Sequence, residues 1–147
     1  MKICIVGAGA IGGYMAIHLA NAGHKISVIA RGPHLAAIRK DGLRLIEANR
    51  EFTSSSITAT DLIGDLEVQD FVILALKAHQ IEAVVQDLPI LFSPDTVMIT
   101  LQNGIPWWYF QKLGGEYANS VVRTVDPDGV QWDEPHRRVA PGQSVVF

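Results

Sequence analysis

Apolar and polar residues along this chain follow two spacings, one typical of strands and one typical of helices. Four apolar runs predict strands buried on both faces, as in a parallel sheet. They cover residues 2–6, 25–30, 70–76 and 96–101. Helical spacing, with apolar residues every three or four positions, is found over residues 10–22, 31–40, 80–92 and 105–113. The alternation predicts an α/β fold with a doubly wound parallel sheet, the Rossmann fold.

Small residues and proline predict where two of these helices pack and end. Gly12, Ala16 and Ala20 form a small-residue face suited to close packing of the first helix on the sheet. Gly23 follows that helix at the position of a C′ glycine. Pro89 is expected to end or kink the third helix, because proline lacks the backbone N–H.

The segments outside these elements carry weaker signals. Residues 43–48 and 51–60 predict the two short strands of a hairpin-like excursion, because they are rich in β-branched residues and serine. In the second helix, Leu35, Ala36 and Ile38 are expected to face inward.

A glycine-rich turn follows the first predicted strand and opens the first helix. Its GxGxxG spacing comprises Gly7, Ala8, Gly9, Ala10, Ile11 and Gly12. Gly7 permits a tight turn, Gly9 lets backbone N–H groups approach a pyrophosphate, and Gly12 allows close helix packing. The helix N-terminus adds unpaired N–H donors and a partial positive charge. Because a complete βαβ unit surrounds the turn, we predict a dinucleotide site; purely structural glycines are the alternative.

The second predicted strand ends beside an arginine instead of a carboxylate. NAD-preferring domains place Asp or Glu there to bind the ribose 2′-hydroxyl, whereas Arg31 follows this strand and no acid occurs before Asp41. A guanidinium suits a 2′-phosphate through its charge and its forked donors. We therefore predict NADP(H) as the cofactor in preference to NAD(H). A solvated surface arginine is the alternative, but it leaves the missing acid unexplained.

Two polar residues stand at the carboxyl ends of neighbouring predicted strands. Lys77 follows the run at 70–76 and Asn103 follows the run at 96–101, and ligands of such sheets bind just outside these ends. An ammonium can hold a carboxylate or a ribose hydroxyl, and a side-chain amide can bond both a carbonyl and a hydroxyl. We place both residues in the cofactor and substrate cleft. A solvated lysine and a simple Asn-Gly turn are the alternatives.

Composition and charge narrow the functional classes. The net charge of −3 argues against binding of nucleic acid, which needs a basic surface. Residues 1–40 nevertheless carry bases and no acid, so the first βαβ unit is electropositive, as an anionic cofactor requires. The single cysteine, Cys4, is expected to be a small buried hydrophobe. The five histidines lack the spacing of metal ligands, so we predict no metal.

The hydrophobic runs are too short for a membrane span. None approaches about 18 uninterrupted apolar residues, and the opening run ends in glycines without the pattern of a signal peptide. We therefore expect no membrane partner and a cytoplasmic location.

Four motifs in order resemble the ketopantoate reductase (2-dehydropantoate 2-reductase) family. They are the opening KICIVGAGAIGG, the arginine after the second strand, LALKAHQ at 74–80 and LQNG at 101–104. The resemblance covers about the first 125 residues. It implies an oxidoreductase that uses NADPH to reduce a 2-keto acid to a 2-hydroxy acid in pantothenate biosynthesis. It also implies that Gly7 to Gly12 cradle the pyrophosphate, Arg31 meets the 2′-phosphate, and Lys77 and Asn103 border nicotinamide and substrate.

The chain also departs from that family. Family members continue into a second, mostly helical domain with a general-acid lysine, whereas the last lysine here is Lys112. Reduction of a ketone leaves an alkoxide that must be protonated in a cleft closed against water. We therefore expect no catalytic residue in this chain and little or no turnover by it alone. We expect one Rossmann domain over 1–125, with a last strand at 119–125, and an irregular tail over 126–147, as in a truncated or frame-shifted gene.

Two other functional classes stay open. One is a nucleotide-sensing or interaction protein that docks the apolar surface left by the absent domain on a partner chain, or on a second copy as a homo-oligomer. The aromatic run at 107–110, which includes Trp107 and Trp108, favours this class, because neighbours on a helix cannot all face one core. The other class is a remnant with no selected role.

Overall fold

The computed structural model describes residues 1–48, 50–106, 109–110, 114–124, 126–128 and 145–146. Among them, six strands form one parallel sheet: β1 (Lys2–Val6), β2 (Lys25–Ile29), β5 (Thr58–Thr60), β6 (Phe71–Leu74), β7 (Val97–Thr100) and β8 (Val145–Val146). Their order is β5-β2-β1-β6-β7-β8. Numbered within this sheet alone, the order is 3-2-1-4-5-6, that of a Rossmann fold, which confirms the predicted fold class. The strands β3 (Leu43–Glu47) and β4 (Arg50–Ser54) form a separate antiparallel hairpin.

The helix after the glycine turn, α1 (Ala10–Asn21), packs through its small residues as predicted. Gly12 and Ala16 are buried, and Ala20 packs at the edge of the core, whereas Ile11 is 63% exposed. Gly23 has a φ of +87°, which lets the following N–H, of His24, donate to the carbonyl oxygen of Leu19 and end the helix.

The sheet is covered on both faces because consecutive residues of β1 point to opposite sides. Ile3 and Ile5 belong to the core under α1 and α2 (Gly32–Asp41), and Cys4 and Val6 belong to the core on the other face. Cys4 is fully buried, as predicted, and burial raises the pKa of its thiol to about 12. The apolar core on each face of the sheet thus packs against β1 and fixes the position of its carboxyl end.

The segment predicted as one helix over 80–92 is only partly helical. It contains α3 (Ala78–Ile81), a run of turns, and a 3₁₀ segment, Leu88–Leu91. The apolar positions are buried as the spacing requires: Ile81, Val84, Val85, Leu88 and Leu91. The backbone differs because its N–H groups donate to carbonyl oxygens either three or four residues earlier, and Pro89, which was expected to end or kink the helix, lies within the first turn of the 3₁₀ segment.

The predicted strand over 51–60 is split in two. It ends at Ser54, where the hydroxyls of Ser54 and Ser56 hydrogen-bond to each other at 3.1 Å and the chain bends. Only residues 58–60 form β5, which pairs with β2 in the main sheet and is not part of the hairpin. Leu35 and Ile38 of α2 are buried as predicted, but the prediction for Ala36 was wrong, because it lies on the exposed side of that helix.

Two predictions near the end of the chain were wrong within the described residues. The described residues 105–106 and 109–110 are not helical: Ile105 lies in a bend, and Tyr109 and Phe110 lie in a turn, where the N–H of Tyr109 donates to the carbonyl oxygen of Pro106. Residues 119–124 are turn and coil, since Asn119 takes a left-handed φ of 59° that a strand does not accommodate. Trp107, Trp108 and residues 111–113 and 125 lie outside the described residues, as does most of the expected tail, of which Val145–Val146 pairs with β7.

Candidate functional site

A cleft of about 840 Å³ opens at the carboxyl ends of β1, β2, β6 and β7. Strand order reverses between β1 and β6, and at such a point helices leave for opposite faces of the sheet and open a crevice. The volume lies within the ~300–1,000 Å³ typical of small-molecule sites. The cleft is lined by eight of the nine predicted site residues: Gly7, Ala8, Gly9, Ala10, Ile11, Arg31, Lys77 and Asn103. The ninth, Gly12, lies just behind the turn; the structure therefore brings the predicted set together.

Each glycine of the turn meets a different spatial requirement. Gly7 has a φ of +106°, and a Cβ there would lie 2.7 Å from the side chain of Leu76. A Cβ at Gly12 would lie 1.9 Å from the carbonyl oxygen of Gly7. A Cβ at Gly9 would meet nothing within 4 Å, so only this glycine borders open space. Gly7 and Gly12 are needed for the fold, and Gly9 leaves room for a ligand.

The N-terminus of α1 presents unpaired donors at this opening. Gly9 is the N-cap and has no capping side chain, and the first turn carries no acid. The first intrahelical bond runs from the N–H of Gly13 to Gly9 at 2.7 Å. The N–H groups of Ala10, Ile11 and Gly12 therefore lack intrahelical acceptors, and together with the helix dipole they favour an anion.

Arg31 lines the cleft directly after β2. It is the N-cap of α2, with an extended backbone, and its side chain is exposed. Within the part of the chain that the structure describes, its guanidinium makes no ion pair, whereas Arg39 lies 3.8 Å from Asp61 and Arg44 lies 3.4 Å from Glu51. No Asp or Glu is among the described residues that line the cleft. The cleft is thus electropositive.

The other side of the cleft is built from the ends of β6 and β7. The N–H of Lys77 donates to Oε1 of Gln80 at 3.0 Å, and the N–H of Gln80 donates back to Lys77 at 2.8 Å, which caps α3. Lys77 and Asn103 are both exposed at the opening. Their side chains are therefore available to a ligand.

Gln102 ties these two strand ends together. Its Nε2 donates to the carbonyl oxygens of Leu74 and Leu76, each at 2.9 Å. Its Oε1 is buried and has no partner among the described residues. Gln102 therefore links the two strand ends that carry Lys77 and Asn103.

Sequence analysis missed three polar residues at or beside the cleft. Gln80 and Gln102 line it, and His34 donates from Nε2 to the carbonyl oxygen of Ala8 at 2.7 Å. The two glutamines lie in the motifs LALKAHQ and LQNG, at the ends of predicted strands, so the sequence could have indicated that they line the cleft. His34 gave no such signal, because its partner is distant along the chain.

The described residues add two further findings. They contain no group of three or more His, Cys, Asp or Glu side chains that could hold a metal ion. In the same residues, every helix is too short or too polar to cross a lipid bilayer.

Comparison with known proteins gives a consistent set of relatives. A family model described as "Ketopantoate reductase PanE/ApbA" matches residues 3–137. A 2-dehydropantoate 2-reductase from Mesorhizobium japonicum is 44% identical over 151 residues, which covers 100% of this chain and 45% of the relative. The enzyme of that name from Pyrococcus horikoshii is 36% identical over 137 residues, 90% of this chain and 44% of the relative.

Solved structures agree with this result. A crystal structure from Ralstonia solanacearum MolK2 that bears the ketopantoate reductase name has a TM-score of 0.83 and 40% identity, over 99% of this chain and 44% of that chain. A D-mandelate dehydrogenase solved with NADH and anilino(oxo)acetate has a TM-score of 0.67 and 25% identity, over 100% of this chain and 45% of that chain. The chain thus spans less than half the length of these relatives, and the similarity continues past residue 125.

Proposed function

This chain belongs to the ketopantoate reductase family of NAD(P)-dependent oxidoreductases, and we propose that it binds NADP(H) for the reduction of a 2-keto acid. The observation that carries the proposal is the single cleft in which the glycine turn, Arg31, Lys77 and Asn103 meet. One side of this cleft suits phosphates and the other suits a polar substrate.

The glycine turn fits the pyrophosphate of a dinucleotide. The open space at Gly9 leaves room for phosphate oxygens close to the backbone. The unpaired N–H groups of Ala10 and Ile11 then serve as donors, and the absence of acids from the first turn of α1 avoids repulsion. When bound, the dinucleotide supplies the hydride.

Arg31 supports NADP(H) in preference to NAD(H). Its guanidinium stands at the end of β2 with no ion-pair partner among the described residues, where a 2′-phosphate would meet it. The D-mandelate dehydrogenase neighbour was solved with NADH, so the choice of coenzyme for this chain rests on Arg31.

Lys77 and Asn103 hold the substrate end in this proposal. The ammonium of Lys77 pairs with the carboxylate of a 2-keto acid, and the amide of Asn103 bonds its carbonyl oxygen or the nicotinamide ribose. The reduced oxygen must also receive a proton in a closed cleft. We propose that the acid comes from a part of the relatives that this chain does not span, so that the chain alone has little or no turnover.

A parallel titration with NADPH and NADH tests the cofactor. We expect NADPH to bind the purified chain about tenfold more tightly, the factor that ~1.4 kcal/mol corresponds to. Arg31→Ala should remove this preference by weakening NADPH alone. Arg44→Ala, which changes an exposed arginine of the hairpin, is the matched control. Equal affinities in the unchanged chain contradict the choice of NADP(H), and no binding of either contradicts the dinucleotide site.

A separate assay tests the missing turnover. Purified chain is mixed with NADPH and ketopantoate, and the absorbance of NADPH is followed. We expect no change above the rate without protein. Turnover in the ordinary enzyme range of ~1–10³ s⁻¹ would contradict the proposed lack of a proton donor.

A further inference from the structure

His34 contacts the glycine turn without lining the cleft. It lies in the first turn of α2, the helix that Arg31 caps, and its Nε2 is 2.7 Å from the carbonyl oxygen of Ala8. A carbonyl oxygen only accepts hydrogen bonds, so Nε2 carries the hydrogen and donates. Helix α2 is thereby attached to the turn at one peptide group.

That peptide group also carries the N–H of Gly9. The described residues contain no cis peptide bond, and in a trans peptide the C=O and the following N–H point in opposite directions. The carbonyl of Ala8 is directed at His34, which does not line the cleft. The N–H of Gly9 is therefore directed away from His34, and Gly9 itself borders the open space of the cleft.

This peptide needs to be held in place. Glycine accepts φ values of either sign, so the Ala8–Gly9 peptide can rotate at small steric cost. In the opposite orientation its carbonyl would face the cleft, and an anion there would meet a partial negative charge instead of a donor. The hydrogen bond from His34 opposes that rotation.

We infer that His34 is a positioning residue for the pyrophosphate, because it holds the Ala8 carbonyl out of the cleft and keeps the Gly9 N–H directed into it. The inference rests on the proposed function, in which the cleft binds a dinucleotide. It assigns His34 a role different from that of Arg31. The pyrophosphate is common to NADPH and NADH, whereas the 2′-phosphate belongs to NADPH alone.

Titrations of variants with both dinucleotides test this role. His34→Ala should raise the Kd for NADPH and NADH by the same factor, about tenfold, and leave their ratio unchanged. His34→Gln should restore most of the affinity, because the glutamine amide can donate to the same oxygen. His24→Ala, at the opposite end of β2, is the matched histidine control and should bind like the unchanged chain.

A spectroscopic measurement tests the hydrogen bond without any ligand. The ring nitrogens of His34 are observed by NMR in ¹⁵N-labelled protein at pH 8, where the Nε2–H tautomer is expected. A neutral ring with its hydrogen on Nδ1 overturns the inference, since such a ring cannot donate from Nε2.

The other outcomes are equally decisive. An effect of His34→Ala on NADPH alone would mean that His34 only places α2 and Arg31, and would overturn the role at Gly9. The inference would also be overturned if His34→Ala bound NADPH and NADH as tightly as the unchanged chain, or if His34→Gln did not recover the lost affinity. If the unchanged chain binds neither dinucleotide, the proposed function fails and this inference fails with it, whatever the tautomer.

Discussion

A Cβ atom at Gly12 would lie 1.9 Å from the carbonyl oxygen of Gly7. The first turn of α1 and the start of the glycine turn are therefore in backbone contact, and no side chain fits between them. This contact sets how closely the helix N-terminus approaches the carboxyl end of β1. The stability of the fold and the shape of the cleft depend on the same pair.

Gly12→Ala is therefore expected to destabilise the chain. The added methyl group must push backbone against backbone, which costs about 3 kcal/mol or more of unfolding free energy. Chemical denaturation followed by circular dichroism measures the change. Gly13→Ala is the control, because its Cβ would have its nearest neighbour at 3.7 Å and alanine favours the helix by up to about 1 kcal/mol. Equal stability of the two variants would contradict the contact.

Gly9→Ala should affect binding without affecting the fold. Gly9 has a φ of −70°, which alanine adopts, and its Cβ would enter open space. We expect the unfolding free energy to fall by no more than about 1 kcal/mol, because alanine caps a helix less well than glycine, and the affinity for NADPH to fall at least about tenfold. Gly64→Ala, also facing open space but far from the cleft, controls for the added methyl group. Normal NADPH affinity of Gly9→Ala would show that phosphates do not lie there.

Gln102→Glu should weaken the junction between β6 and β7. The substitution replaces a donor to two carbonyl oxygens, of Leu74 and Leu76, by a carboxylate that can only accept. We expect a loss of about 1–3 kcal/mol of unfolding free energy at pH 7, measured by urea denaturation. Gln86→Glu makes the same change at an exposed position and should have little effect. A loss of the same size in both variants would mean that the bonds of Gln102 are unimportant.

Acid should remove a contribution from Glu67. Hydrogen bonds from Lys2, at 2.8 Å, and from Lys25 lower the pKa of Glu67 from 4.5 to about 2 and also raise the pKa of Lys2. A carboxyl whose pKa is lower in the folded state stabilises it above pH 4.5, and this contribution disappears as the pH falls towards 2. The difference in unfolding free energy between the unchanged chain and Glu67→Gln, measured by urea denaturation, should therefore be constant near neutral pH. It should fall to zero in acid.

Added salt provides the check on the two ion pairs of Glu67, with Lys2 and with Lys25. All three side chains are substantially exposed, so the difference in unfolding free energy should be small and should shrink as NaCl screens the charges. Glu82→Gln is the control at an exposed carboxyl. A difference that persists unchanged to pH 2 would contradict the lowered pKa.

The first βαβ unit of the fold could be predicted because its determinants are local. The strand, turn and helix around Gly7 and Gly12 depend on periods of two and 3.6 residues and on glycines that only a tight approach requires. Arg31 could be placed because it directly follows β2. In the segment over 80–92, the buried positions were predicted correctly, because burial follows the apolar spacing. The helical backbone was not, because packing and Pro89 decide whether each N–H donates three or four residues back along the chain.

The sequence by itself determined the alternation of strand and helix, the glycine turn and the residues at the strand ends, because each follows from neighbours within one or two turns of chain. Only the tertiary structure decided that β5 joins the main sheet, that Gln102 holds two strand ends, and that His34 bonds to Ala8. The partners of the last pair are 26 positions apart. No local period connects such residues, since their contact exists only after β1 and β2 have paired and brought α2 beside the turn.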